Sequence, residues 1–179
     1  MKKNIDNKFI CFSGDVSIYL KNGLKKNIDD VSVGDQITNY NIYNKRFDVT
    51  IVEKVVSSEH TIRNTITFSN NSEIKSTIDH PYFIVGKGWC SVNPELAAQK
   101  YKLKVNKMVV GDICLYFNGK GLSNVQIIEI STQFGEYKMY NISGGENHNF
   151  FANGILVHDE NIMEFDLTQK GVEFELLEL

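Results

Sequence analysis

The stretch Ile28-Asp29-Asp30-Val31-Ser32-Val33-Gly34-Asp35-Gln36-Ile37 has an echo in Val105-Asn106-Lys107-Met108-Val109-Val110-Gly111-Asp112-Ile113, 77 residues further on. In both, apolar residues stand three and five positions after the first. Gly-Asp follows, and then a run that reads as a strand. A single separation points to one duplication rather than a solenoid period, and a duplication predicts a pseudo-twofold β domain. Gly-Asp between apolar runs is also a tight turn in its own right, and so short a match arises by chance too. Both origins stand on this evidence.

The chain around the two echoes is short-segmented and rich in Val, Ile, Thr, Tyr and Phe. Strands are expected near 16–20, 36–40, 49–56, 65–68, 82–85, 113–117, 125–130 and 138–142, separated by Asn-Gly, Gly-Asp, Asn-Asn and Gly-Gly signals. Asn22-Gly23 reads as a hairpin turn. Pro94 reads as the first residue of one short helix, Pro94–Tyr101, with Asn93 as its cap. Everything else long enough to judge is strand, so the expected class is all-β.

Composition sets further bounds. The 179 residues are 42% hydrophobic and 23% charged, enough for one domain with a core and short arms. A net charge of −3 gives no reason to expect nucleic acid or an anionic membrane as partner. Three separated cysteines make no disulfide framework and fit a reducing, cytoplasmic setting with thiols free for chemistry. The start, MKKNID, has no apolar run behind its lysines, and no stretch reaches the length of a membrane span. The last twenty residues hold six acidic side chains against Lys170, with an alternating Val172–Leu177 segment that reads as a strand or as a solvated tail. The expected division is a flank over 1–10, a functional unit over 11–159 and an acidic flank over 160–179.

Three groups of residues carry chemistry. Cys11 opens Cys11-Phe12-Ser13-Gly14-Asp15. Thr77-Ile78-Asp79-His80-Pro81-Tyr82 brings a hydroxyl and an imidazole three residues apart, able to reach one peptide bond from a single turn. His148-Asn149-Phe150 and Asn153-Gly154-Ile155-Leu156-Val157-His158-Asp159 put two histidines ten apart around an Asn-Gly turn. Singly, each has a bland reading: a small buried cysteine, a core histidine, a hairpin.

In this order the set resembles the Hint (hedgehog/intein) superfamily, over all of 11–159. Cys11 with Gly14 and the Val-Gly-Asp strand is similar to its first block, Thr77 and His80 to its Thr-x-x-His block, and His148 through His158 to its last two. The resemblance implies a horseshoe-shaped, pseudo-twofold all-β fold with one short helix. It also implies single-turnover self-processing without cofactor or metal, acting in cis on the flanking polypeptide of a host protein, as a monomer. Cys11 sulfur would attack the carbonyl of Ile10, turning an amide into a thioester. Thr77 would hold the scissile amide, and His80 would protonate the departing amine. Ile10 is β-branched and should slow the attack by crowding. His158 precedes the residue used for release at the far junction, and His148 would assist there.

Three positions depart from the family pattern. Asp159 stands where an Asn usually cyclises. Glu160 stands where Cys, Ser or Thr accepts the acyl group. Asn141 replaces an Asp and cannot exchange a proton; with Asp79 it is a possible modulator. Together they point to N-terminal cleavage or acyl transfer with impaired C-terminal cleavage and splicing, in a mini-intein or bacterial intein-like domain. The alternatives are a catalytically degenerate scaffold or a trapped splicing precursor. A hedgehog-like lipid transferase lacks an added sterol-binding region here. Between the Thr-x-x-His block and the final blocks lie too few residues for a homing endonuclease. Cys90 and Cys114 read as core, a zinc site from Cys11, His80, Cys90 and His158 lacks the spacing for it, and His60 reads as solvated and without a partner.

Overall fold

A computed structural model describes residues 9–161; the expected Val172–Leu177 strand lies outside them. The strands are β1 (Phe12–Ser13), β2 (Ser17–Tyr19), β3 (Lys25–Asn27), β4 (Gln36–Asn41), β5 (Arg46–Ile51), β6 (Lys54–Phe68) and β7 (Glu73–Ser76). After them come β8 (Tyr82–Ile84), β9 (Gly88–Ser91), the helix α1 (Pro94–Tyr101), β10 (Asn106–Lys107), β11 (Ile113–Phe117), β12 (Leu122–Ser143), β13 (Asn149–Ala152) and β14 (Ile155–His158). The all-β reading holds, with one helix. Asn93 caps it, its side-chain oxygen accepting from Leu96 N at 3.0 Å, with Pro94 behind.

One large sheet runs β1-β7-β6-β12-β11-β8-β14-β13-β2-β3, with β9 on β8 and β10 on β9, and β4 and β5 form a separate ribbon. The central strands are buried on both faces, so successive residues feed two different cores. Phe150, Ala152, Ile155, Val157, Tyr82 and Ile84 pack into one core; Phe151, Leu156, Phe83 and Leu115 pack into the other. The β13–β14 hairpin turns at Asn153-Gly154, both with positive φ (+47° and +85°), as a two-residue primed turn requires. A Cβ at Gly154 would run into the Tyr116 ring and lie 2.7 Å from the Phe117 carbonyl oxygen.

The sequence echo is a structural repeat. Ser32 N and Val109 N each donate to the carboxylate three residues on, Asp35 and Asp112, at 2.9 Å. Gly34 N bonds Val52 O and Gly111 N bonds Ile127 O (2.9 and 2.8 Å), while Val52 N and Ile127 N return to Asp35 O and Asp112 O. A lysine pairs with each carboxylate, Lys26 and Lys87, both at 2.8 Å. Gly34 and Gly111 have φ of +96° and +97°, open to glycine at little cost. Earlier turns repeat as well: Val16 N bonds Ser13 O as His80 N bonds Thr77 O, and Asp29 N bonds Gly14 O as Asn93 N bonds Ile78 O. The second copy carries extra residues, including α1, where the first has only the 3-10 turn Ile28–Asp30.

Two expectations change. The expected 49–56 strand is two, because Val52 leaves β5 to bond the Gly34–Asp35 turn. The pieces expected at 125–130 and 138–142 are one 22-residue strand, β12, paired with the 15-residue β6 and irregular between Ile127 and Glu129 and between Phe134 and Tyr137. Among the described residues, no helix is long and apolar enough to cross a membrane.

Candidate active site

The repeat lays the chain start against the second copy's turn. β1 lies between β7 and β12, with Phe12 opposite Ser76 and Tyr140. Cys11 is thereby fixed from both sides: its carbonyl accepts from Thr77 N at 2.9 Å, and its own N–H donates to Thr77 Oγ1 at 3.2 Å. The carbonyl oxygen of Ile10 accepts from Asn141 Nδ2 at 2.8 Å. Asn141 is oriented by its Oδ1, which accepts from Ile142 N at 2.8 Å. The Ile10–Cys11 peptide is therefore held at its oxygen by an amide donor and at its nitrogen by a hydroxyl acceptor. Asn141 was expected only as a modulator; it touches the carbonyl.

Cys11 is wholly buried, and burial pushes its thiol up to about 12, with Ser58 pulling the other way. Its sulfur lies 3.7 Å from Ser58 Oγ, which lies 2.7 Å from His60 Nε2. The expectation of a solvated, partnerless His60 is thus wrong. It is 4% exposed because Ser58 and His60, two apart on β6, face the same side of the strand, toward Cys11. Burial lowers His60 to about 4, so it is neutral at ordinary pH.

His80 is also buried, with its ring 3.9 Å from that of Phe12. Its Nε2 is 3.0 Å from the carbonyl oxygen of His158. A carbonyl only accepts, so Nε2 carries the hydrogen and Nδ1 is a bare lone pair, without a hydrogen-bond partner among the described residues. Burial lowers this imidazole to about 3. Asp79 is buried beside it, with Lys100 Nζ 3.6 Å from its carboxylate.

The chain at Asp159 and Glu160 converges on the same strand. Glu160 N donates to Ile142 O at 2.9 Å, next to the Asn141 that holds Ile10. The Glu160 carboxylate is tied to Lys54 at 2.8 Å. His158 Nδ1 donates to the Asp159 carbonyl oxygen at 2.9 Å, and burial lowers its pKa. The Asp159 carboxylate accepts from Asn161 N at 2.9 Å and Gly144 N at 3.4 Å, and lies 3.6 Å from His148 Nδ1. This carboxylate raises His148, whose φ of +48° is unusual for a residue with a side chain. A cavity of about 160 Å³ lined by Trp89, Asn147, His148 and His158 opens beside it. No group of three or more His, Cys, Asp or Glu side chains among the described residues could hold a metal ion. Cys11, His80, Cys90 and His158 form no such group among the described residues.

Ser58, His60, Lys54 and Asn161 were not anticipated. Ser-x-His on a strand was the available signal, since alternate residues share a face.

The fold is that of solved inteins. The chain is similar to the DnaB intein from Synechocystis sp. PCC 6803, with a TM-score of 0.70 and 20% identity over 84% of this chain and 98% of that one. A bacterial intein-like domain from Clostridium thermocellum gives 0.69 and 21%, over 83% and 98%. The gp41-1 intein gives 0.63 and 20%, over 84% and 98%. In sequence, residues 12–118 match the family model for the Ataxin-1 and HBP1 module (AXH). The chain belongs to the AXH family. Ataxin-1 of Homo sapiens is 30% identical over 113 residues, 60% of this chain, and the same holds for Ataxin-1 of Mus musculus. The chain spans about 14% of the length of these curated relatives. The AXH match begins one residue after Cys11 and stops before β12, so it leaves out Cys11, Asn141, His148, His158 and Asp159. These five residues of the candidate site therefore lie outside the family match, on a chain with the Hint fold.

Proposed function

We infer that residues 11–159 form an autocatalytic processing unit, which converts the Ile10–Cys11 amide to a thioester and then releases or transfers the segment before it. The observation that carries this reading is the two-sided grip on that peptide, Asn141 on the oxygen and Thr77 on the nitrogen. A donor on the carbonyl oxygen favours the charge that develops there during attack, and is worth most in a dry site. The sulfur–carbon bond forms as electrons move to the Ile10 oxygen. Collapse breaks the carbon–nitrogen bond, and the proton lost by sulfur is made up at nitrogen. His80 is the group for that nitrogen, its Nδ1 without a hydrogen-bond partner among the described residues; it must first take a proton to give one.

The C-terminal half of the reaction is impaired by chemistry rather than by position. His158 polarises the Asp159 carbonyl, and His148 faces the Asp159 side chain, but that side chain is a carboxylate. Its attack on its own carbonyl would give an anhydride, and Glu160 is a poor acyl acceptor. Processing in cis on a host's flanking segments, dominated by the first junction, follows from this.

A second reading has an observation in its favour. The buried, fully protonated Cys11 and the AXH match that omits it fit a scaffold that has kept the shell and given up the chemistry. Incubation with dithiothreitol decides between them. Processing gives a time-dependent loss of residues 1–10 by mass spectrometry, absent in Cys11→Ala. No fragment over days at several pH values leaves the scaffold.

A further inference from the structure

The Ser58–His60 pair has no part in the mechanism so far, yet it ends on the reacting sulfur. Ser58 Oγ lies 3.7 Å from Cys11 Sγ and 2.7 Å from His60 Nε2, and all three residues are buried. A thiol is a weak donor and a weaker acceptor, and an imidazole nitrogen is a good acceptor. The order that uses each group best is S–H to Ser58 oxygen and Ser58 O–H to His60 Nε2. β6 holds both residues in register on β12, with Ser58 opposite Met139 and His60 opposite Tyr137.

We propose that Ser58 and His60 are a proton relay for Cys11, Ser58 passing the thiol proton to His60 as sulfur attacks the Ile10 carbonyl. This rests on the processing reading above. The step balances. The Sγ–C bond forms, the proton leaves sulfur for Ser58 oxygen, and the Ser58 proton moves to His60 Nε2. When the carbon–nitrogen bond breaks, the Cys11 nitrogen gains one proton through His80, which takes it from solvent, and His60 gives up its one proton to solvent, so both imidazoles end neutral and the net change is one proton moved from sulfur to nitrogen. No oxidant is needed.

The charges around the relay suit it. Asp79 raises His60 and would steady a transient imidazolium, Lys100 opposes it, and Asp79 and Lys100 face each other at 3.6 Å. Asp79 and Glu160 both disfavour a free thiolate at Cys11, and Tyr101 adds a phenol near Asp79 and Cys11. A preformed thiolate is thus costly here, and removing the proton in step with attack avoids it. Ser58 touches the reacting atom; His60 acts through it as a positioning and proton-holding residue. The two imidazoles divide the work, His60 serving sulfur and His80 serving nitrogen.

The test is the pH dependence of dithiothreitol-induced cleavage in the whole chain, for wild type, His60→Gln, Ser58→Ala, the double variant and Ser58→Thr. General-base relays contribute about 10²–10⁴-fold. We expect each single variant to slow cleavage about 10²-fold and the double to be no slower than either, as for groups acting as a unit. Ser58→Thr, which keeps the hydroxyl, should retain most of the rate. With dithiothreitol saturating, so that thioester formation limits the rate, wild-type cleavage should be nearly flat between about pH 6 and 9. In His60→Gln it should climb roughly tenfold per pH unit, because the thiol must then ionise unaided. Should His60→Gln fail to fold, Ser58→Ala carries the same slope test. Wild-type rates and slopes in both variants overturn the relay and leave the processing reading intact. Absence of any Cys11-dependent cleavage in the wild type overturns both.

Discussion

The two junctions meet on neighbouring residues of one strand, and they are equipped in opposite ways. At Ile10–Cys11 the surrounding imidazoles, His60 and His80, are buried and neutral, the thiol holds its proton, and the grip on the peptide is by uncharged donors and acceptors. At Asp159–Glu160 carboxylates face basic partners, Asp159 against His148 and Glu160 against Lys54, beside a buried His158 whose pKa is lowered. Asn141 serves the first junction, and the adjacent Ile142 carbonyl serves the second. On the proposed processing reading, the contrast separates position from reactivity: the backbone at Glu160 is held on β12 as that at Ile10 is, but Asp159 and Glu160 carry side chains unsuited to finish the reaction.

That comparison breaks most visibly if the carboxylate side is converted. Asp159→Asn with Glu160→Cys should give a spliced product, and excised 11–159, where the unaltered chain gives neither; intact-mass measurement reads both. Failure to gain either product would mean that the C-terminal geometry is deficient too. On the neutral side, Asn141→Ala removes the donor on the Ile10 oxygen and should slow thiol-induced cleavage about 10²–10³-fold. An equal loss in Asn141→Asp would also fit, since an ionised carboxylate cannot donate; wild-type rates in Asn141→Ala would remove Asn141 from the site.

The buried neutral imidazoles make acid the weak direction for stability. His60, His80 and His158 have folded pKa values below their unfolded ones, so the unfolded chain binds more protons as pH falls. Stability is full above about pH 6.5 and declines as pH drops, for His60 toward its folded value of about 4 and for His80 toward about 3. The slope is up to about 1.4 kcal/mol per pH unit for each imidazole. Chemical denaturation at pH 7 and 5 should show the loss, and His60→Gln should make it shallower. His148 works in the other sense: its raised pKa gives stability that is present below its unfolded value and lost as pH rises through the folded one. The smallest expected effect is on this group. Asp159→Asn should bring the His148 titration down toward its ordinary 6.5, followed by NMR; an unchanged midpoint would mean that the carboxylate is not what holds it up.

Much of this was legible in the chain. The Asn93-Pro94 helix start, the Asn153-Gly154 turn and the Gly-Asp echo are local chemistry, decided by φ preference and capping within a few residues. The long strands were legible only in pieces, because the polar run Ser57 to Asn64 gains its burial from β12 and the chain start, which come from far away in sequence. His60 was misread for the same reason: its partner Ser58 is local, but its burial against Cys11 is not. Asn141 was judged by what it cannot do, exchange a proton. What it does do, donate to the Ile10 carbonyl, needs the packing of β1 on β12. AXH membership is not legible in these motifs: Thr77, His80 and the Gly-Asp echo lie inside the 12–118 match, but none of them marks that family by local chemistry.

Processing requires a covalent bond between Cys11 sulfur and the Ile10 carbonyl carbon. With ¹³C placed at that carbonyl, NMR at neutral pH should show part of the signal move from the amide region to the thioester region. After dithiothreitol the label should leave with residues 1–10 as a thioester of the small thiol, and no thioester signal should form in Cys11→Ala. A carbonyl signal that stays an amide throughout, in a chain whose folded spectrum is intact, would contradict the account.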